Sequence, residues 1–160
     1  MNESVSYRLN SASELELADH LRYCDASFMP PLSGRVGIDD YARKIAASAI
    51  RFEAWKDGML LGLLAVYCKE FKYGTAAYVT NVSVLPAWVG RGIASLLLSQ
   101  CVEHVLGLGA SCIELDVNSE NTGAISLYEK HGFVGKSLHG KTMTMCLNLV
   151  RDTEKNETAA

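Results

Sequence analysis

Residues 79–95 read VTNVSVLPAWVGRGIAS, and this stretch decides the fold. Thr80, Val82 and Val84 alternate with Val79, Asn81 and Ser83 on the two faces of an extended segment, which predicts a strand that ends at Pro86. Gly90 and Gly92 follow, and glycine lets a backbone turn sharply and approach a ligand closely. Apolar residues then recur at every third or fourth position over 94–108, which predicts a helix. Because a helix that starts at such a turn presents backbone N–H groups, the stretch predicts an anion site.

The glycine turn is not a complete match to either common nucleotide-binding motif. No Gly-Lys-Ser/Thr follows it, as a P-loop requires. Ala94 and Ser95 stand where a dinucleotide fingerprint has its third glycine. Taken alone, the turn is as typical of a plain strand-to-helix connection without a ligand.

The residues upstream of this stretch predict strands and helices joined by short turns. Two prolines and a glycine within 28–36 predict a loop, and Asp57-Gly58 predicts a two-residue hairpin turn. The predicted elements are a strand over 4–9, a helix that starts after cap candidates Ser11 and Ser13, a helix over 41–50, and strands over 52–56 and 59–71.

The residues downstream predict a strand over 113–117, a helix that starts after Asn121 and closes at Gly132, and a final hairpin over 133–149. This order of elements predicts an α+β fold with a mixed sheet of about seven strands and helices on both faces. We expect residues 1–150 to form a single domain and residues 151–160, which are charged and poor in apolar residues, to form a flexible tail.

Composition excludes several classes of protein. The chain has 160 residues, of which 49% are hydrophobic and 21% charged, and this balance argues against disordered, collagen-like and disulfide-scaffold proteins. With 15 basic and 18 acidic residues the net charge is −3, so no basic surplus is present to neutralise a nucleic acid. We therefore expect small-molecule or neutral partners and no nucleic acid.

Cysteine and histidine usage predicts neither disulfides nor a metal site. The five cysteines are odd in number and lack a C-x-x-C pair, so we interpret them as reduced core residues. His20, His104, His131 and His139 are scattered without metal-ligand spacing, and we interpret them as surface or cap residues. No signal-like or membrane-spanning run occurs, which predicts a cytoplasmic protein without a membrane partner.

Residues 79–133 resemble the GNAT superfamily of acetyl-CoA-dependent N-acetyltransferases. The segment Gly90-Arg91-Gly92-Ile93-Ala94 is similar to the glycine part of the family's pyrophosphate loop. The pattern Asn-x-x-Ala-Ile-x-Leu-Tyr-Glu-Lys-x-Gly-Phe over 121–133 is similar to its second signature. One departure is Val89, which stands at the first position of the loop motif, where the family usually has Arg or Gln. The resemblance implies a GNAT-like fold with a twisted, mostly antiparallel sheet.

The resemblance also implies acetyl-CoA as cosubstrate, with no metal. Backbone amides of 90–95 are expected to hold the diphosphate, and the strand 82–84 and Asn121 to contact the pantetheine arm. Asn121 has an alternative role as an ordinary helix cap. The cofactor-binding candidates are Val82, Ser83, Val84, Val89, Gly90, Arg91, Gly92, Ile93, Ala94, Ser95, Asn121, Ala124 and Tyr128.

Three residues are candidates for catalysis by resemblance. Tyr128 lies where the family commonly has its general acid, and its ordinary pKa of about 10 exceeds the value of about 8.5 for a thiol. Asp116 aligns with a catalytic carboxylate of some related ribosomal-protein acetyltransferases. The strand before the glycine turn lacks the Glu or Asp that other members carry, and a water relayed through Asn81 or Asp116 is expected to act in its place. The alternatives are that Tyr128 packs its ring in the core and that Glu114 and Asp116 form the wet face of a strand.

The acceptor is expected to be a primary amine of a small molecule, amino sugar or peptide, which attacks the thioester of acetyl-CoA directly in a ternary complex. Phe28, Arg35 and Tyr67 are the substrate-binding candidates. Two alternatives stay open: transfer from another acyl-CoA or to another nucleophile, and a non-catalytic acyl-CoA binding module. The chain is expected to be a monomer or a homodimer.

Overall fold

The computed structural model describes residues 4–72 and 74–149. Its elements are β1 (Ser6–Leu9), α1 (Glu14–Cys24), α2 (Ile38–Ser48), β2 (Ile50–Lys56), β3 (Met59–Phe71), β4 (Gly74–Val84), α3 (Ile93–Gly107), β5 (Ala110–Asn118), α4 (Thr122–Lys130), β6 (Val134–His139) and β7 (Thr142–Asn148). Short 3-10 turns lie at Asp25–Ser27, Leu32–Gly34 and Pro86–Trp88. The predicted order of strands and helices is confirmed.

Seven strands form one mixed sheet in the order β1-β2-β3-β4-β5-β7-β6. The pairs β1–β2, β2–β3, β5–β7 and β6–β7 are antiparallel. The hairpin turn between β2 and β3 has positive φ at both Asp57 and Gly58, as its sequence predicts. The predicted α+β class with about seven strands is therefore confirmed.

Two helix boundaries and one core position differ from the sequence prediction. Helix α2 begins at Ile38, directly after Gly37, and places both aspartates in its first turn. Ile50 belongs to β2, where it pairs with Val66, because a β-branched residue suits a strand better than a helix end. The helical spacing of Leu15, Ala18 and Leu21 predicts that Leu15 faces the core. In α1, however, Leu15 is exposed and Leu17 is buried.

The described residues form two compact units. The first comprises the chain up to Tyr67 together with Val79–Cys101, and the second comprises Cys68–Tyr78 and the chain from Val102 onward. The expectation of a single domain over 1–150 stays a prediction. The expected flexible tail, residues 151–160, lies outside the described residues. Among the described helices, none combines the length and the apolar character that crossing a bilayer demands.

In the first unit, helices cover both faces of the sheet. A Cβ built on Gly62 of β3 would lie 2.7 Å from Cγ2 of Ile93 in α3, so only glycine allows this close approach. Its neighbour Leu63 points to the opposite face and belongs to a core cluster with Leu17 of α1 and Ile45 of α2. The glycine turn that precedes α3 is thus held by a helix packed directly on β3.

A buried acid fixes the start of α1 to the sheet. Glu53 of β2 is fully buried and accepts hydrogen bonds from the backbone N–H groups of Ser11 and Ala12 and from Nε1 of Trp55. The guanidinium of Arg51 lies 3.4 Å from the same carboxylate. Since nearly every lone pair of Glu53 is engaged, its charge is compensated within the fold.

Candidate active site

The glycine turn before α3 has an open flank. Gly90 and Gly92 have φ values of 84° and 81°, which residues with a Cβ rarely adopt. A Cβ built on either glycine would meet no described atom within 4 Å. The backbone therefore leaves room for a ligand to approach the turn.

Helix α3 begins at the end of this turn. The N–H group of Leu96 donates to the carbonyl of Gly92 at 3.1 Å, which starts the helical ladder. The first N–H groups of a helix lack acceptors inside it and carry the positive end of the dipole. Ile93 is buried beneath the turn, whereas Ala94 and Ser95 are partly buried. The predicted anion site thus has the backbone arrangement that it requires.

Two cations lie over one aromatic ring beside the turn. The guanidinium carbon of Arg91 is 4.4 Å from the centroid of Trp88, and Nζ of Lys56 is 5.2 Å from it. Val89, by contrast, is 65% exposed and adds no charge. Lys56 and Trp88 were missed by the sequence prediction, because Lys56 reaches the turn only through the β2–β3 hairpin. Both cations strengthen the positive potential that the helix start provides.

Strand β4 carries a buried polar chain. The side-chain amide of Asn81 donates to the carbonyl of Leu63 at 3.3 Å and to Oγ of Ser83 at 2.9 Å. Oγ of Ser83 lies 2.8 Å from Nε2 of His20, whose Nδ1 lies 2.9 Å from the carbonyl of Leu60. A carbonyl can only accept, so the neutral ring donates from Nδ1 and accepts the Ser83 hydroxyl at Nε2.

His20 is a core residue, and the expectation that it lies at the surface or caps a helix is wrong. Its side chain is 2% exposed, and burial lowers the pKa of its imidazole to about 4. Asn81 and Ser83 belong to the same hydrogen-bonded series of side chains, and both point into the fold. The expected role of Asn81 in relaying a water stays a prediction.

Phe28, Tyr41 and Tyr67 form a group of aromatic residues in the first unit that packs against one core cluster. The hydroxyl of Tyr41 donates to the carbonyl of Thr80 at 2.8 Å, and burial raises the pKa of Tyr41 to about 12. The hydroxyl of Tyr67 is enclosed and has no hydrogen-bond partner within the described part of the chain. Nζ of Lys44 lies 5.5 Å from the Tyr67 ring, and the positive charge of Arg35 acts to lower the pKa of Tyr41.

The three residues predicted to bind the substrate lie in this region. Phe28 and Tyr67 are partly buried and pack against the same core cluster. Arg35 is exposed, and its electrostatic effect reaches Tyr41. The loop that bears Phe28 is held by Asp25, whose carboxylate accepts from N and Oγ of Ser33, and these bonds lower the pKa of Asp25.

In the second unit, Asp116 lies exposed on β5. Its carboxylate accepts hydrogen bonds from the hydroxyl of Tyr78 at 3.0 Å and from Oγ1 of Thr144 at 2.6 Å. Glu114 shares the face of Asp116 and pairs with Nζ of Lys136 at 2.7 Å. The two carboxylates therefore share one strand face, as their spacing predicts.

Three candidates, Asn121, Ala124 and Tyr128, lie at helix α4. Oδ1 of Asn121 accepts from the backbone N–H of Ala124 at 3.2 Å, so Asn121 caps the helix. Tyr128 is 8% exposed, and its ring centroid lies 5.9 Å from that of Phe133. Burial raises the pKa of Tyr128 to about 12, which keeps the phenol protonated at neutral pH. The interpretation of Tyr128 as a packed ring describes its surroundings correctly.

The family model described as "Acetyltransferase (GNAT) family" matches residues 16–133. The chain belongs to the GNAT acetyltransferase family. Its match spans α1 to the end of α4, so it includes both the glycine turn and the Tyr128 helix.

Curated relatives of this GNAT protein include acetyltransferases with different acceptors in their names. A mycothiol acetyltransferase of Gordonia bronchialis is 29% identical over 141 residues, which cover 83% of this chain and 44% of the relative. An N-alpha-acetyltransferase MAK3 of Arabidopsis thaliana is 26% identical over 83 residues, which cover 52% of this chain and 44% of the relative. The chain thus spans less than half the length of these relatives.

A solved structure shows the same fold. The crystal structure of Arabidopsis thaliana NAA60 in complex with acetyl-CoA aligns with a TM-score of 0.73 and 18% identity, covering 91% of this GNAT chain and 98% of that one. At this identity the likeness concerns the fold.

Proposed function

We propose that this GNAT protein is an acetyl-CoA-dependent N-acetyltransferase that acts on a primary amine of a small molecule, amino sugar or peptide. The observation that carries the proposal is the open glycine turn at the start of α3, with Arg91 and Lys56 beside it. This arrangement suits a dianionic diphosphate held mainly by backbone amides.

Two features of the glycine turn suit acetyl-CoA. Positive φ values at Gly90 and Gly92, with free space where side chains would stand, allow the backbone to approach a phosphate closely. The cations over Trp88 compensate for the missing Arg or Gln of the family motif, because they add charge at the same turn. When bound, acetyl-CoA supplies an acetyl group activated as a thioester.

Strand β4 supplies the backbone partners of the coenzyme arm. Residues 82–84 offer main-chain groups to the pantetheine amides, and one N–H of this strand stabilises the developing oxyanion. The bonds that Ser83 makes to Asn81 and His20 fix the position of this backbone. Asn121 adds its amide N–H₂ to the arm, since its oxygen already caps α4.

The proton steps are assigned to two residues of the second unit. Tyr128 donates its phenolic proton to the departing thiolate, because a buried phenol remains protonated until that anion forms. Asp116 accepts the proton of the attacking amine, directly or through a water. The hydrogen bonds from Tyr78 and Thr144 hold the Asp116 carboxylate in one orientation.

Binding of the acceptor is assigned to the aromatic residues of the first unit. The enclosed hydroxyl of Tyr67 has no hydrogen-bond partner among the described residues, and a polar acceptor molecule supplies one once a neighbouring side chain moves aside. Phe28 adds an apolar wall and Arg35 a positive charge. Relatives named for mycothiol and for N-alpha acetylation support amines on either small molecules or peptides.

The test combines binding with turnover. Calorimetry with CoA measures whether the intact chain has a saturable site, and thiol release from acetyl-CoA is then screened against small amines, amino sugars and peptide N-termini. We expect both binding and amine-dependent thiol release. Binding of CoA without turnover on any amine would favour the acyl-CoA binding module, and turnover with a longer acyl-CoA alone would favour the other acyl donor. No CoA binding would refute the proposal.

A further inference from the structure

Three potential metal ligands converge on the second unit, on β5 and β7. Sγ of Cys112, a carboxylate oxygen of Glu114 and Sγ of Cys146 all lie within 4.8 Å of one another. All three residues are partly buried, and both cysteines are free thiols. Among residues 4–72 and 74–149, no other set of three cysteine, histidine or acidic side chains brings its ligand atoms this close together.

Strand register explains the convergence. Glu114 of β5 lies directly opposite Cys146 of β7, and Cys112 precedes Glu114 by two positions on the same strand. Side chains two apart on a strand point to one face, so the three ligands form a triangle on that face. The expectation that all five cysteines lie in the core is wrong for Cys68, Cys112 and Cys146, which are only partly buried.

The triangle has nearly the dimensions of a metal site. In a tetrahedral zinc site, bonds of about 2.3 Å to sulfur and 2.0–2.2 Å to oxygen place ligand atoms about 3.5–3.8 Å apart. If side-chain rotation moves each ligand atom by less than about 1 Å, the triangle closes around an ion. Because β7 pairs with β5 over its whole length, the backbone restricts any larger movement of the ligand atoms.

The donor set selects the class of metal. Two thiolates prefer soft or borderline ions, and one carboxylate is compatible with Zn²⁺ or Cd²⁺, with water in the fourth position. Lys136 at 2.7 Å from Glu114 competes for the carboxylate, but its side chain is 56% exposed and is free to turn towards solvent. Two thiolates, one carboxylate and a divalent cation leave one negative charge, which the displaced ammonium partly balances.

We propose that Cys112, Glu114 and Cys146 form a binding site for a thiophilic divalent cation such as Zn²⁺ or Cd²⁺. Binding forms two metal–sulfur bonds and one metal–oxygen bond and releases the two thiol protons to the buffer. The site is independent of the acetyl-CoA proposal, because it shares no residue with it.

The test uses the full chain, freshly reduced and freed of metal, with Cd²⁺ alone as the probe. Thiolate-to-cadmium charge-transfer absorption in the ultraviolet reports binding, and Zn²⁺ is then added as a competitor. We expect saturation at one Cd²⁺ per chain and reversal by Zn²⁺. Cys112→Ser and Cys146→Ser should each weaken binding by more than about a hundredfold, since even residues that only support a ligand cost 10–100-fold.

Two further variants separate a built site from adventitious thiol binding. Cys68→Ser removes a third partly buried cysteine and should leave the titration unchanged. Lys136→Met removes the competing ammonium and should tighten binding by about threefold, the effect of one exposed ion pair. Circular dichroism checks that each variant is folded, and Cys146→Ala replaces Cys146→Ser if the hydroxyl is not tolerated.

The proposal would be overturned by either of two results. One is the absence of saturable Cd²⁺ absorption in the reduced chain. The other is absorption that survives in both Cys112→Ser and Cys146→Ser but disappears in Cys68→Ser.

Discussion

The buried imidazole of His20 makes a quantitative prediction about acid stability. The ring is neutral in the fold and has a pKa of about 4, whereas an exposed histidine has an ordinary pKa of 6.5. Between these two values the unfolded chain binds a proton that the folded chain does not. Stability should therefore fall as the pH drops through 6.5 and level off below 4.

The magnitude follows from the two pKa values. Relative to pH 7, this single group should remove about 2 kcal/mol of unfolding free energy at pH 5 and about 3 kcal/mol at pH 4. With a urea dependence of about 2 kcal/mol per molar, typical of a small protein, the midpoint should fall by about 1.5 M at pH 4.

The assay is urea unfolding, monitored by circular dichroism, at pH 7, 6, 5 and 4. It compares the natural chain with His20→Asn and with His139→Asn, which replaces an exposed histidine on β6. His20→Asn should be less stable at pH 7, because it disturbs the bonds to Ser83 and Leu60, yet should lose less stability on acidification. His139→Asn should follow the natural chain. If all three pH profiles run parallel, His20 is not the buried neutral group described above.

Four other substitutions test the site and the fold. Gly92→Ala and Gly58→Ala place a Cβ at similar positive φ and open space and should each cost about 1 kcal/mol of stability, but only Gly92→Ala should weaken CoA binding, by about tenfold or more in calorimetry. Tyr128→Phe should keep CoA affinity and slow amine-dependent thiol release by about 10²-fold, and an unchanged rate would remove Tyr128 as the acid. Glu53→Gln should lower the unfolding free energy by about 3 kcal/mol in urea titrations, because it leaves the charge of buried Arg51 uncompensated; a loss below 1 kcal/mol would contradict this account.

Features encoded in neighbouring residues could be predicted from the sequence. The Asp57-Gly58 turn fixes the β2–β3 hairpin locally, and the predicted strand over 59–71 agrees with β3 at both ends. The glycine turn and α3 were likewise predictable, since Gly90 and Gly92 and the following apolar period specify them.

Features that depend on distant pairings could not be predicted. His20 lies on a helix beside apolar residues, and its burial depends on Ser83, which is 63 positions away. Cys112 and Cys146 have no local metal-binding spacing, and only the register of β5 and β7 brings them together. A periodic pattern indicates which face of an element is buried, but not which residue of another element lies against it.

The buried chain on β4 bears on the choice between an enzyme and a binding module. Strand β4 has no Asp or Glu that could serve as the base, and this lack favours a binding module. The side chains of Asn81 and Ser83 are buried and bonded to Leu63 and His20, so a carboxylate at either position would point into the fold and not towards a substrate. A charged group there would lose its solvation at a cost of several kcal/mol, which a neutral amide and a hydroxyl avoid. The missing carboxylate at these two positions is therefore explained by the demands of folding, and it does not count against catalysis by residues elsewhere, of which Asp116 is the exposed candidate.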